Sequence, residues 1–192
     1  MTQPDFSAKR PIRQTIAAFV AVLAAFLVLA GAGQGSGRFD GQMLPWSMVL
    51  AATLVALVWI DLDRFLLPDM LTLPLIVGGV AFSVLTGPGI WLSLFGALVG
   101  YSLIAGLAYF WRTRFGREGI GLGDAKLLAA GGAWVGLFGI PLILLVGSGA
   151  ALGMVAVLAI SGRRPEGHTA LPFGPMLALG IWSIWCLPFL IP

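Results

Sequence analysis

The sequence predicts an all-α, polytopic membrane protein of about seven transmembrane helices, with its N-terminus in the cytoplasm. Composition, the spacing of apolar segments and the placement of basic residues predict this class. Of the 192 residues, 59% are hydrophobic and only 10% are charged, whereas soluble domains carry about one quarter charged residues. A mean hydropathy of +0.99 excludes an ordinary soluble domain, a disordered chain and a coiled coil. We therefore expect residues 1–192 to form a single membrane domain.

Seven apolar segments follow one another along the chain, and most approach the roughly 20 residues that a bilayer crossing requires. They lie at about 15–32, 43–60, 70–86, 90–111, 124–138, 140–160 and 171–191. Glycine and proline mark the breaks, as in Gly-Pro-Gly at 87–89. The first segment has features of a secretory signal, but its length and the later crossings favour an uncleaved helix. The fifth is short for a full crossing, which leaves its boundary with the sixth open.

The placement of basic residues supports the count of seven crossings. With the N-terminus inside, the inner segments are 1–13, 61–69, 112–123 and 161–170. Together with Lys126 at the start of the fifth helix, they carry ten of the eleven Lys and Arg residues. Cytoplasmic loops of membrane proteins show this excess. The net charge of +3 therefore indicates a lipid bilayer as the partner and not a nucleic acid.

Small residues recur at four-residue spacing in three of the apolar segments. The pairs are Gly96 and Gly100, Gly132 and Gly136, and Gly149 and Gly153. Such pairs allow helices to approach closely within a membrane. We expect packing inside the bundle, with homo-oligomer formation as the alternative.

Two acidic residues lie where helices meet the cytoplasmic boundary. Asp61 follows one apolar run, and Asp124 opens another two crossings later, so both carboxyls return to a similar depth. Ionisable groups at this depth are costly and are candidates for function. Two carboxyls that share a site repel each other, which raises the pKa of one, so one can act as base and the other as acid. The alternative is that each acid lies in headgroup water or pairs with Arg64 or Lys126.

Four glycines precede or flank Asp124, at positions 116, 119, 121 and 123. Because glycine has no side chain, an extended substrate could approach the backbone here, or the loop could adopt positive φ. The spacing Gly-Ile-Gly-Leu-Gly is wrong for a dinucleotide-binding fingerprint, and no βαβ unit surrounds it.

Three blocks of the sequence resemble the type IV prepilin peptidases. The first runs from Asp61 through Pro68 and Asp69 to Thr72 and Pro74, and the second is Gly121-Leu-Gly-Asp124-Ala-Lys126-Leu. The third, Leu171-Pro-Phe-Gly-Pro175-Met-Leu-Ala-Leu-Gly180, is similar to the Pro-Phe-Gly-Pro stretch of the family's last helix. The three blocks occur in the family's order and span about 43–190, most of the chain.

The resemblance implies a multi-pass aspartic endopeptidase of the inner (plasma) membrane, with its active site facing the cytoplasm. Its substrates would be type IV prepilins or type II secretion pseudopilins, cleaved at the cytoplasmic boundary to release a basic leader. The family's catalytic aspartates map onto Asp61 and Asp124, and the chemistry requires no metal and no cofactor. Residues expected to bind substrate or shape the site are Pro68, Gly121, Gly123 and Lys126.

Other polar residues near the two aspartates have plainer interpretations. We expect Asp69 to cap the helix that begins at residue 70, and Asp63 to be a solvated loop acid. Lys126 could lower the pKa of the aspartate pair or anchor a substrate carboxylate, or it could extend towards the headgroups. His168, in an inner loop, is expected to be solvated.

The chain departs from the bifunctional relatives in one respect. Those proteins carry a cytoplasmic domain with paired cysteines ahead of the core and also N-methylate the new amino terminus. Here 13 residues precede the first helix and Cys186 is the sole cysteine, so we do not expect N-methyltransferase activity. The alternative function is a non-enzymatic transporter or a pilus or secretion assembly scaffold that uses the same acids to bind protons or cations. The boundary position of the acids and the absence of an apparent repeat argue against a transporter.

Overall fold

The structure is a computed structural model, and it describes residues 41–86, 89–116, 121–160 and 172–187. These ranges contain six α-helices and no strand, which confirms the all-α class for the described residues. The helices are α1 (Leu44–Arg64), α2 (Asp69–Leu85), α3 (Ile90–Phe115), α4 (Leu122–Val135), α5 (Gly139–Ile160) and α6 (Gly174–Cys186). The first predicted segment, about 15–32, lies outside the described residues.

Three of the described helices are long and apolar enough to cross a membrane, judged by length and composition. They are α1, α3 and α5, whereas α2 and α6 are shorter apolar helices. The outer surfaces of the long helices carry exposed apolar side chains, including Trp59, Tyr109 and Leu152, as expected of a lipid-facing surface. The count of seven crossings and the cytoplasmic N-terminus stay predictions.

The ends of the helices follow from local backbone chemistry. Phe65 ends α1 in the left-handed region at φ 54°, and its N–H donates to the Asp61 carbonyl. Gly116 ends α3 at φ 66°, and Gly136 ends α4 at φ 81°. Glycine adopts positive φ without a steric penalty, so it commonly ends helices in this way. The break between the fifth and sixth predicted segments therefore lies between Val135 and Gly139.

Two short helices, α4 and α6, form the centre of the bundle. Every residue of α6 is buried, and α4 is buried from Leu127 through Trp134. Such helices are apolar on all sides because other helices surround them. Helix α4 packs against α2, α3, α5 and α6, and α6 also packs against α1. This central pair fixes the positions of the helix ends at the site described below.

Helices α3 and α4 approach closely because glycines meet at their crossing. A Cβ atom on Gly132 would collide with the Gly96 carbonyl, and one on Gly100 would lie 2.7 Å from the Leu128 carbonyl oxygen. The prediction that these glycines serve packing inside the bundle is confirmed. Gly149 on α5 has no atom within 4 Å of such a Cβ, so homo-oligomer formation stays a prediction.

A cluster of aromatic rings joins four helices at the end of the bundle away from Asp61. The rings of Trp46, Phe82, Trp134 and Trp185 have centroids 5.0–6.3 Å apart. The Trp185 indole donates to the Ser47 hydroxyl at 2.9 Å, which satisfies its buried N–H. At a rise of about 1.5 Å per residue, Trp46 and Asp61 are separated by roughly 22 Å along α1. The cluster therefore packs the end of the bundle opposite to the end where Asp61 lies.

Candidate active site

Asp61 is buried on the same face of α1 as three core leucines. Leu50, Leu54 and Leu57 are buried at spacings of three and four residues, and Asp61 continues this series. The aspartate is only 6% exposed. A buried carboxyl is costly unless it is paired or has a chemical role. Its burial follows from helical periodicity and not from a local distortion.

The carboxyl of Asp61 lies against the first residue of α6. The Gly174 backbone N–H faces the carboxyl, as expected of the orphan donors in a helix's first turn. A Cβ atom at Gly174 would lie 2.6 Å from Asp61 Oδ2 and 3.0 Å from its Cγ. Asp61 Oδ2 is buried and has no hydrogen-bond partner among the described residues. The oxygen therefore retains the capacity to accept or share a proton.

Asp124 lies in the first turn of α4, outside the three helices long enough to span the membrane. Its N–H donates to the Gly121 carbonyl at 3.2 Å, which starts the helix. The positive end of the helix dipole favours an acidic residue here. Two stronger effects oppose ionisation and raise the pKa of Asp124 from 3.8 to about 6: burial first, and then the negative charge of Asp61.

The two predicted aspartates are brought together at one end of the bundle. The two carboxyls lie within electrostatic range of each other, because the negative charge of Asp61 contributes to the raised pKa of Asp124, although 62 residues separate them in the chain. Asp61 comes from the end of α1, and Asp124 from the start of α4. A pair of carboxyls in this arrangement holds protons jointly, so its titration belongs to the pair and not to either residue.

Gly123 allows the segment after α1 to approach the start of α4. A Cβ atom on Gly123 would lie 3.0 Å from Leu67 Cβ and 3.2 Å from its Cδ1. Gly121, by contrast, adopts an extended backbone at φ −73°. Of the four glycines noted in the sequence, Gly116 has positive φ, Gly119 lies outside the described residues, and Gly121 and Gly123 do not have it. Of the two alternatives, positive φ holds for Gly116 and not for Gly121 or Gly123, and close approach is left for the latter two.

The segment around Pro68 connects α1 to α2. The Pro68 carbonyl accepts the N–H groups of Leu71 and Thr72, each at 3.1 Å, so Pro68 is the N-cap of α2. Asp69 is the first residue of the helix, and no side chain caps it. The expectation that Asp69 caps a helix starting at residue 70 is therefore wrong. The residue is one position too late in the chain to take that role.

Lys126 forms an ion pair with Asp69, and the lysine Nζ donates to the carboxylate. This pair joins the first turns of α4 and α2. The pair directs the Lys126 side chain, two residues after Asp124, towards the start of α2. Whether Lys126 also contacts substrate stays a prediction.

Two further residues named in the sequence lie apart from the aspartate pair. Asp63 is exposed and lies 3.9 Å from Arg64, in the last turn of α1 and not in a loop. Cys186 is buried in the core of the bundle. His168 lies outside the described residues. Across the described ranges, no group of three or more His, Cys, Asp or Glu side chains is placed to hold a metal ion.

Sequence reasoning missed Gly174 as a member of the site. The Pro-Phe-Gly-Pro stretch was noted as a resemblance, but no role followed from it. A glycine between two bulky residues at a helix start is a signal that something approaches closely. The identity of the approaching group, the Asp61 carboxyl, depends on how α6 packs against α1 and is not encoded locally.

The helical fold and the meeting of two carboxyls at one end define a class: helical membrane proteins with a two-carboxyl site at the end of the bundle. Comparison with known proteins is more specific. The profile described as the Type IV leader peptidase family matches residues 48–158. The chain belongs to this family.

Curated relatives match over most of the chain, and each is named "Prepilin leader peptidase/N-methyltransferase". The protein from Aeromonas hydrophila is 38% identical over 183 residues, covering 94% of this chain and 59% of that protein. The one from Dichelobacter nodosus is 40% identical over 146 residues, covering 74% and 49%. The one from Xanthomonas campestris is 42% identical over 145 residues, covering 72% and 48%. The chain thus spans about half to three fifths of these relatives' lengths. No solved structure matches it.

Proposed function

We propose that this protein is an aspartic endopeptidase that removes the basic leader from type IV prepilins or type II secretion pseudopilins. The observation that carries the proposal is the approach of Asp61 and Asp124 at one end of a helical membrane bundle. Family membership supports a prepilin-processing role, and the relatives are named for leader peptidase activity. The prepilin substrates come from those names, and the pseudopilins come from the sequence resemblance. The catalytic assignment comes from the two carboxyls.

The chemistry requires one proton shared between the two carboxyls. The ionised carboxyl takes a proton from a water molecule as the water oxygen attacks the peptide carbonyl carbon. The protonated carboxyl donates a hydrogen bond to the carbonyl oxygen, which becomes negative as the tetrahedral intermediate forms. Collapse of the intermediate breaks the C–N bond, and the leaving amine takes a proton from the pair. These reaction steps use only the two carboxyls and water.

The position of the pair supports cleavage at the membrane boundary. Asp61 lies three residues before the end of α1, and Asp124 two residues after the start of α4. In the proposed orientation both ends face the cytoplasm, and the protein lies in the inner membrane with about seven crossings. A substrate's apolar helix would then lie along the bundle while its basic leader remains in cytoplasmic water.

The proposal is restricted to proteolysis. Methyl transfer, the second activity in the relatives' names, is not expected here, and neither is a requirement for zinc or S-adenosylmethionine. This restriction follows the expectation drawn from the sequence, in which Cys186 is the sole cysteine.

The direct test is to incubate purified protein in detergent with a peptide that carries a basic leader followed by an apolar segment. The expected result is release of the leader, seen as two products by mass spectrometry, with one cut at the junction. A protein that releases no leader, but moves protons or cations when reconstituted in vesicles, would support the transporter alternative. Absence of both activities would favour an assembly scaffold.

A further inference from the structure

A small apolar cavity lies between α5 and the beginning of α6. Its volume is about 120 Å³, and its lining includes Ala151, Leu152, Met154 and Val155 of α5 together with Phe173 and Met176. No charged side chain lines it. A polar group placed there would lose its hydrogen bonds to water without replacement, so the cavity suits an apolar occupant.

The cavity shares its walls with the site of Asp61. Phe173 and Met176 stand on either side of Gly174, the residue that lies against the Asp61 carboxyl. Leu62, the next residue after Asp61, packs in one buried cluster with Met154 and Met176. An occupant of the cavity would therefore lie within a few side chains of the proposed reaction centre.

The α5 wall of the cavity lies within a candidate membrane span. Its α5 residues precede the end of that helix, Ile160, by five to nine positions, which corresponds to roughly 8–14 Å of helix. Helix α5 is the most apolar of the three candidate spans, with a mean hydropathy of 2.4. A group that reaches the cavity therefore comes from the apolar part of a substrate and not from its basic leader.

The volume matches one side chain. An apolar cavity of about 150 Å³ in another protein stays dry and binds benzene, so a cavity of this size accepts a branched or aromatic side chain. Two methionines in its wall, Met154 and Met176, are flexible and adapt to different shapes. The expected selectivity is therefore for size and apolarity and not for one amino acid.

We propose that this cavity receives one apolar side chain from the membrane segment of the substrate, on the mature side of the cleaved bond. Seating that side chain sets which peptide bond lies at Asp61 and Asp124. The proposal rests on the proposed function, because it requires a peptide substrate that crosses the boundary at this site.

The test combines a filled cavity with a substrate series. Ala151→Phe fills the cavity, and Ala156→Phe makes the same change at an exposed α5 position outside the lining. Peptides are prepared with alanine at each of the first apolar positions after the cut, one position at a time. We expect one position at which alanine raises KM for the wild-type protein. At that position, Ala151→Phe should raise KM for the bulky peptide about tenfold or more and leave the alanine peptide unaffected.

Leu152→Ala gives a second variant that does not depend on tolerance of a larger core residue. Leu152 lines the cavity but is 75% exposed, so its truncation threatens folding little. It should shift preference at the same position towards larger side chains. Uniform kinetics across the peptide series in both variants would overturn the proposal and identify the cavity as a packing feature or a lipid site.

Crosslinking separates this proposal from the proposed function. A photoreactive apolar side chain at the selected position should label residues 151–155 in an Asp61→Asn variant, where cleavage is not needed for binding. Labelling elsewhere on the protein would overturn the cavity assignment even if the wild-type protein releases the leader. If the peptide labels residues 151–155 but the wild-type protein does not cleave it, the cavity assignment stands and only the peptidase proposal is contradicted.

Discussion

Replacing Gly174 with alanine tests whether the start of α6 positions the Asp61 carboxyl. Gly174 is not among the described glycines that have positive φ, so its backbone permits alanine. The main steric cost of the new methyl group is its contact with Asp61, 2.6 Å from Oδ2 and 3.0 Å from Cγ. The variant thus moves the carboxyl without removing it.

The size of the effect can be worked out from this contact. Optimal separations between non-bonded heavy atoms are about 3.5–4.0 Å for carbon, so the methyl group and the carboxyl must separate by roughly 0.5–1 Å. A misplacement of about 1 Å can lower catalysis by about 10²-fold. Overpacking costs typically about 1–3 kcal/mol of unfolding free energy, and the higher helix propensity of alanine offsets up to about 1 kcal/mol. The net cost in stability is then about 0–2 kcal/mol, so the variant should stay folded while its activity falls.

The assay measures kcat and KM for leader release, together with thermal unfolding in the same detergent. We expect kcat to fall by roughly 10–100-fold with KM nearly unchanged, because the carboxyl acts on the reacting bond and not on binding. Gly106→Ala serves as the matched control, since a Cβ atom there meets nothing within 4 Å. A folded Gly174→Ala variant that retains the wild-type kcat would refute the reasoning that this contact positions Asp61.

The Gly123→Val variant should lose about tenfold or more in turnover with little loss of thermal stability, because its side chain presses on Leu67 and crowds Asp124. A folded fraction that cleaves normally but unfolds well below wild type would instead assign Gly123 to packing. Activity should decline as pH rises through about 6, since the pKa of Asp124 is raised to that value and ionisation removes the shared proton. The melting temperature should fall as pH rises from about 4 to about 6 and level off above that, because only between these values does the folded state hold a proton that the unfolded state has lost, and Asp124→Asn should flatten this dependence. EDTA should leave cleavage unchanged, and no labelled methyl group should pass from S-adenosylmethionine to the product; zinc-dependent recovery or methyl transfer would contradict the proposal.

The sequence predicted the helices well because apolar runs and glycine breaks are local signals. The predicted bounds were least accurate at helix ends. Helix α1 was expected to stop near residue 60, but it continues to Arg64. The last turn of that helix is polar, so hydropathy does not detect it, although it is closed by the Phe65 N–H to the Asp61 carbonyl.

The pairing of Asp61 and Asp124 was predictable because an even number of crossings returns the chain to one face. The contacts around the pair could not be predicted from the sequence. Gly174 reaches Asp61 only because α6 is buried against α1, and Lys126 pairs with Asp69 only because α4 packs against α2. These contacts depend on tertiary packing, which neither spacing nor composition encodes.

The most direct test of the central claim is the cleavage rate of three variants that each change one carboxyl to an amide. Asp61→Asn and Asp124→Asn should abolish leader release while expression and membrane insertion remain intact. Asp63→Asn is the matched control, because its exposed carboxyl lies in the same turn of α1 as Asp61 but faces outward, and it should cleave at close to the wild-type rate. Near wild-type cleavage by either Asp61→Asn or Asp124→Asn would contradict the aspartate pair, and loss confined to Asp63→Asn would place the first catalytic residue at position 63.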